Sequence, residues 1–462
     1  TGLATIFCVA WFGTRLISRE TGWLAAALLG GSWLHVIVAH LNSLDMALAF
    51  FLNAAIGAFL VAQHAPVKSS SERRWMLAAW AMAALALLSK GLVGVVLPGL
   101  TLLAYSAVAR DWSAWRRLHI GTGLLAFLMI GAPWFVAVSI ANPGFLEFFF
   151  LHEHVQRFLT DVHERTEPWW FFLAITFAGT LPWASLVVPA MLNTWRLDVR
   201  TVNATSPSIN IHRFLALWIV VIIGFFSFSH SKLAPYILPA LPALALLTAS
   251  YVARASARVV MRHVVGIALL YCFALAYLRF APLPNRSGVS QAAAATLFRH
   301  GAIAFGIALL GAIASVWLVK RRRISYAFIT LSAGSFLCLS MLLLVIDGVR
   351  GIRSGYDLAA AVAPLHERDK PVYSLHQYDH SLTFYLQRPV TLVDYRGELD
   401  FGLTQEPFKG LEDEAAFKHA WASDPAGSLA FLPHDTYERF VDDGVPMVVI
   451  GSNLKVKAIK KP

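Results

Sequence analysis

The 462 residues are 57% hydrophobic and 14% charged, against roughly 25% charged in an average soluble protein. The formal net charge of +11 is unevenly spread: residues 1–346 carry 25 basic and 10 acidic groups, and residues 347–462 carry 13 and 17. That balance excludes a disordered chain, an ordinary soluble enzyme and a nucleic-acid binder; it points to a polytopic α-helical membrane protein with a small soluble C-terminal domain.

A spanning helix needs about 20 mainly apolar residues. Twelve candidate stretches follow one another, at 3–17, 22–38, 44–62, 75–88, 91–107, 120–140, 169–190, 213–228, 233–252, 262–279, 300–319 and 325–346. Eighteen basic residues fall in the odd-numbered loops and seven in the even ones. The positive-inside rule puts the odd loops in the cytoplasm and the even loops, Thr1 and the tail outside. Merging 75–107 into one span would break this alternation, so two helices are expected to meet at Lys90. The chain opens in apolar sequence, and an odd number of spans is expected ahead of Thr1 if the native amino terminus is cytoplasmic. Cys8, Cys272 and Cys338 all sit in apolar runs and read as small buried hydrophobes, without a disulfide or thiolate metal site.

The even loops share the outer face and hold the informative polar groups. Asp45 opens the apolar run M-A-L-A-F-F-L. It reads as a helix N-cap, and a carboxylate at the edge of hydrocarbon also reads as functional. Lys90, in L-L-S-K-G-L, either snorkels to the interface or meets a lipid phosphate, with Gly91 permitting close approach. The sixth loop reads F-L-H-E-H-V-Q-R-F-L. If it is helical, Glu153 and Arg157 share a face, whereas His152 and His154 point roughly 200° apart and cannot readily share one ion. This is weak metal evidence, although one histidine plus a distant carboxylate could hold zinc. Pro168, Trp169 and Trp170 form an interfacial aromatic belt. In S-H-S-K-L-A-P-Y-I-L-P, Lys232 is a further outer cation, and Tyr236 either anchors at the interface or hydrogen-bonds a headgroup. Several cations around one outer cavity suit an amphiphilic, phosphate-bearing ligand; ordinary loop solvation is the competing account.

After residue 346 the pattern changes. P-V-Y-S-L, V-T-L-V-D, S-L-A-F-L and P-M-V-V-I read as short strands, and helices are expected at 355–366, 379–387 and 412–422. The domain reading is therefore 1–346, a transmembrane catalytic domain, and 347–462, a small α/β domain outside the membrane. The tail has no nucleophile elbow, P-loop or dinucleotide fingerprint, so a covering or packing role is favoured over a catalytic one.

These residues together resemble the bacterial lipid-linked glycosyltransferases of the membrane C-type superfold, the aminoarabinose transferases of lipid A most closely, which are related to protein O-mannosyltransferases. The resemblance rests on H-L-N-S-L-D-M around Asp45, L-S-K-G-L-V-G around Lys90, F-F-L-H-E-H-V-Q-R-F with P-W-W-F, F-F-S-F-S-H-S-K-L-A-P-Y-I-L-P, and F-Y-L-Q-R-P-V in the tail. The combination is specific for the superfamily, and each phrase alone is weak.

The resemblance implies an undecaprenyl-phosphate sugar donor, a lipid A acceptor, no nucleotide cofactor, and an active site on the periplasmic face of a Gram-negative inner membrane. Lys90 and Arg157 would contact the carrier phosphate. Lys232 and Tyr236 would line the cavity, Asp45 would be an active-site carboxylate, and His152 would ligate a site-organising zinc. A first helix and a first outer loop, with the main catalytic Asp and a carboxylate partner for zinc, are expected ahead of Thr1. A monomer is expected. Transfer to protein hydroxyls or to another glycolipid stays open, as does a lipid transporter or flippase.

Overall fold

The computed structural model describes residues 1–150, 152, 167–195, 209–280, 291–346, 354–365, 367 and 369–462. It divides into two compact units, one holding Thr1–Ala281 and Arg299–Leu343, the other Pro282–Phe298 and Leu344–Pro462.

The first unit is helical. It opens with α1 (Gly2–Leu16), α2 (Arg19–Gly31), α3 (Trp33–Ala39), α4 (Asp45–His64), α5 (Ser70–Lys90), α6 (Val93–Ala109) and α7 (Ile120–Ala141). Helices Phe171–Gly179, Ala184–Asn193 and Ile211–Phe228 follow. A 3-10 segment, Ala234–Ala240, then runs directly into Leu241–Val252. Three long helices come last: Ala257–Phe280, Gln291–Lys320 and Ile324–Ile346. Every expected apolar stretch is helical, and the 75–107 region is two helices, as the charge alternation required.

Two expected spans are not continuous rods. The stretch at 22–38 bends by 65° between α2 and α3, where Ser32 adopts extended backbone. The stretch at 169–190 bends by 108° between Phe171–Gly179 and Ala184–Asn193. The break lies at Thr180–Trp183, where Pro182 has no N–H to continue the helical ladder. Seven described helices are long and apolar enough to cross a membrane, and up to nine spans result if each bent pair counts as one. Of the others, α1 and α6 are short at 15 and 17 residues, and α5 carries charge at both ends, Glu72 to Arg74 and Lys90.

Helix packing is close where glycine permits it. A Cβ on Gly22 of α2 would lie 2.5 Å from the Ala10 carbonyl oxygen of α1, so the two backbones meet there. Trp183, Trp218, Phe172 and Phe214 are fully buried in the bundle.

The second unit carries a six-stranded sheet of order β3-β2-β1-β4-β6-β5, built from β1 (Val372–Leu375), β2 (Thr391–Val393), β3 (Gly410–Leu411), β4 (Leu429–Pro433), β5 (Val448–Ser452) and β6 (Val456–Lys460). The first four positions run parallel, and β6 pairs antiparallel with both β4 and β5. Alternation buries both faces. Val372, Leu429 and Phe431 pack with Leu358, Val362 and Leu382 on one side. Tyr373, Leu375 and Leu432 pack with Phe417, Trp421 and Phe440 on the other. Each such side chain contributes roughly 1.5–3 kcal/mol, which lets short strands hold a three-layer α/β/α domain. The four expected strands and three expected helices are present. The helices at Asp400–Gln405 and His434–Asp442 and strands β3 and β6 were not expected.

Candidate functional site

The site is built at one end of the α4–α5 hairpin. The two helices have 20 and 21 residues and run antiparallel, so the first residue of α4, Asp45, meets the last residue of α5, Lys90. Gly91 ends α5 with φ +79° and ψ −152°, a conformation only glycine takes easily. It turns the chain within two residues, and α6 begins at Val93. Lys90 Nζ donates to Asp45 Oδ1 and forms an ion pair with it. Each charge also suits its helix end, an anion at an N-terminus and a cation at a C-terminus.

Asp45 is not the N-cap that its position suggested. Leu44 occupies that place, Asp45 is the first helical residue, and its side chain reaches across to Lys90 instead of back to its own helix. The pair is asymmetric in exposure: the Lys90 side chain is 29% accessible and that of Asp45 12%.

Tyr236 is the third member. Its ring centroid lies 4.7 Å from Lys90 Nζ, a cation–π contact. The ring is fixed by Phe226 at 5.1 Å and by stacked Phe172 at 6.5 Å between centroids. The 3-10 segment carrying Tyr236 is tied down through one carbonyl. Pro239 O accepts from Asn53 Nδ2 of α4 and from Trp218 Nε1, each at 3.0 Å. Asn53 also donates to Ala49 O at 2.8 Å. Sequence reading missed both Asn53 and Trp218. Their signal was an amide and an indole N–H in apolar helices, groups that need a partner when buried.

Lys232 lies just before this segment. It is buried at 8% exposure and makes no ion pair among the described residues. The turn containing it is held by Ser229 Oγ donating to Ser231 O at 3.1 Å. His40, beside the site in sequence, turns its Nδ1 onto Val36 O at 2.7 Å and closes α3. His152 stacks on Phe148, with centroids 5.3 Å apart. Arg157, like Glu153 and His154, lies outside the described residues.

The structure thus joins Asp45, Lys90 and Tyr236 in one constellation. It offers an ammonium with one N–H engaged by a carboxylate, one face against an aromatic ring and solvent access remaining. Such a group donates its remaining N–H bonds to a phosphate oxygen. Among the described residues no three His, Cys, Asp or Glu side chains are grouped to hold an ion.

Comparison with known proteins bears on the whole chain. Residues 358–461 match the family model of the aminoarabinose transferase C-terminal domain, and residues 1–152 match that of dolichyl-phosphate-mannose-protein mannosyltransferase. An undecaprenyl phosphate-α-4-amino-4-deoxy-L-arabinose arabinosyl transferase of Pseudomonas aeruginosa is 30% identical over 413 residues, 84% of this chain and 69% of that protein. A homologous transferase of Sodalis glossinidius is 34% identical over 258 residues, 54% of this chain and 43% of its own length. The chain therefore spans from under half to about two thirds of these curated relatives. A crystal structure of ArnT from Cupriavidus metallidurans bound to undecaprenyl phosphate superposes with a TM-score of 0.90 at 32% identity, covering 99% of this chain and 82% of that one.

Proposed function

The chain belongs to the undecaprenyl phosphate-aminoarabinose arabinosyl transferase family, and from that premise we propose that it moves 4-amino-4-deoxy-L-arabinose from undecaprenyl phosphate to a lipid A phosphate. The observation that carries this reading is the Lys90 ammonium held between Asp45 and Tyr236 at the end of the bundle assigned to the outside.

In this reaction an acceptor phosphate oxygen attacks the anomeric carbon. The bond from that carbon to the carrier phosphate breaks, its electron pair leaves with undecaprenyl phosphate, and configuration inverts. An ionised phosphate needs no strong general base, so catalysis rests on positioning and charge stabilisation. Lys90 meets the charge growing on the departing phosphate, joined by Arg157. Asp45 holds Lys90 and orients the sugar or acceptor. Lys232, buried without a carboxylate, gives the cavity its second cation, and Tyr236 forms its aromatic wall. Modified lipid A carries less negative charge and so attracts cationic antimicrobial peptides such as polymyxin less strongly.

The site faces the periplasm in a Gram-negative inner membrane, and residues 347–462 form a periplasmic domain. His152 is the proposed ligand of a site-organising zinc, which would hold the site's geometry. Metal analysis of the wild type and His152→Ala tests the ligand assignment, which fails if the zinc content is equal.

Purified protein given synthetic undecaprenyl-phosphate aminoarabinose and lipid A should yield lipid A with one added pentosamine by mass, and free undecaprenyl phosphate. Hydroxyl acceptors run in parallel distinguish the protein-modifying alternative. No product from demonstrably folded protein would sink the transferase reading.

A further inference from the structure

A second polar site sits at the opposite end of the same bundle. The continuous rod Ala234–Val252 carries Tyr236 near its start and reaches Ala253 after 17 residues, about 25 Å away at helical rise. At that far end, Ala253 lines a cavity of about 540 Å³ with residues from α2, from the turn after Gln291–Lys320 and from the start of Ile324–Ile346. The charge distribution places this end in the cytoplasm: Arg15, Arg19, Arg254, Arg258 and Lys320 to Arg323 all belong to it.

The cavity is lined by both charged and aromatic side chains. Arg322 and Arg323 both line it. Their backbone N–H groups are used within the turn, bonding Val319 O and Leu318 O at 2.9 Å, but neither guanidinium has an ion-pair partner among the described residues. Arg321, by contrast, covers the Trp317 ring at 5.3 Å and does not line the cavity. Glu20 is the acidic member, and its carboxylate is held by the Ser325 hydroxyl. Trp23 and Tyr326 also line it, with 57% and 63% of their surface uncovered by protein.

We propose that this cavity binds the headgroup of an anionic phospholipid from the cytoplasmic leaflet. Two guanidiniums and one carboxylate sum to +1, the complement of a phosphodiester lipid of charge −1. Guanidiniums match phosphate oxygens with paired donors. Trp23 and Tyr326 are the residue types that sit at headgroup depth with their rings along acyl chains. Glu20 is placed to accept from a headgroup hydroxyl. A soluble anion would leave the two exposed rings uncovered, whereas a lipid covers them. This inference is independent of the transferase reading.

The test is native mass spectrometry of the full chain from nanodiscs of equal phosphatidylglycerol and phosphatidylethanolamine. Phosphatidylglycerol should be retained preferentially by the wild type. The double variant R322Q/R323Q should lose about 25-fold in that preference, about five-fold for each arginine. R321Q should keep it, because Arg321 is committed to Trp317. If the double variant does not fold, the single variants R322Q and R323Q carry the test at about five-fold each. Unchanged preference in the arginine variants overturns the proposal, as does equal retention of phosphatidylethanolamine by the wild type. Displacement of the retained lipid by millimolar inorganic phosphate identifies a free-phosphate site and also overturns it.

Discussion

The α4–α5 hairpin carries a carboxylate–cation pair at each end, and the two pairs are built differently. At the outer end Lys90 meets one carboxylate and one ring and keeps solvent access. At the inner end Arg117 is 8% exposed and Glu72 3%. Arg117 donates through Nη1 to Gln63 O and through Nη2 to Ala62 O, Ala65 O and Glu72 Oε2, at 2.7–3.2 Å, leaving only Nε unpaired. Glu72 also accepts from Lys68 N–H at 2.7 Å and pairs with His119 Nε2 at 3.2 Å. The inner arginine thus caps the carbonyls at the C-terminus of α4 and locks the hairpin, with hardly any donor left for a ligand. The inner pair is saturated, whereas the outer one keeps spare donors.

The comparison makes Arg117→Ala the most damaging change. Removing one partner of a buried, multiply bonded pair costs about 3–5 kcal/mol, so thermal unfolding in detergent should shift strongly downward. A melting temperature near that of the wild type would erase the distinction. Lys90→Ala should act mainly on activity. Transfer should fall about 10²- to 10³-fold, the cost of losing one charge-stabilising donor, while the melting temperature should fall less than for Arg117→Ala because Lys90 is the more exposed cation. Steady-state rates and melting curves on the same preparation decide this. Tyr236→Ala should weaken donor use about five-fold by removing the cation–π contact, and Tyr236→Phe, which keeps the ring, should lose less; donor titrations separate the two.

Acid probes the inner pair most gently. Burial raises the Glu72 pKa, but the hydrogen bond and charge of Arg117, the Lys68 N–H and His119 outweigh it and hold the carboxyl below its ordinary 4.5. Its stabilisation is full above 4.5 and is lost as pH falls through the depressed value. Glu72→Gln should flatten the acid limb of a melting-temperature profile; an unaltered limb would show that Glu72 does not drive it.

Much of this organisation was readable in the chain. Apolar length announced the helices, and basic residues sorted the loops into two faces. Lys90-Gly91 announced a turn, because glycine alone relaxes at φ +79°. The bends at Ser32 and at Thr180–Trp183 were hidden, since both stretches stay apolar through the break. Strand β6 was hidden by Lys457 and Lys460, which interrupt its buried Val456, Ala458 and Ile459 beside β4. Glu72 and Arg117 looked like ordinary cytoplasmic charges, 45 residues apart.

By itself the sequence determined that the chain is helical and membrane-spanning, and which cations and carboxylates are available, because burial in hydrocarbon restricts composition residue by residue. Only the tertiary structure decided which charges meet. Asp45 and Lys90 pair because two antiparallel helices of nearly equal length bring their ends together, and Tyr236 joins them because Asn53 and Trp218 fix one distant carbonyl. Those are properties of helix length, register and packing, which no local pattern encodes.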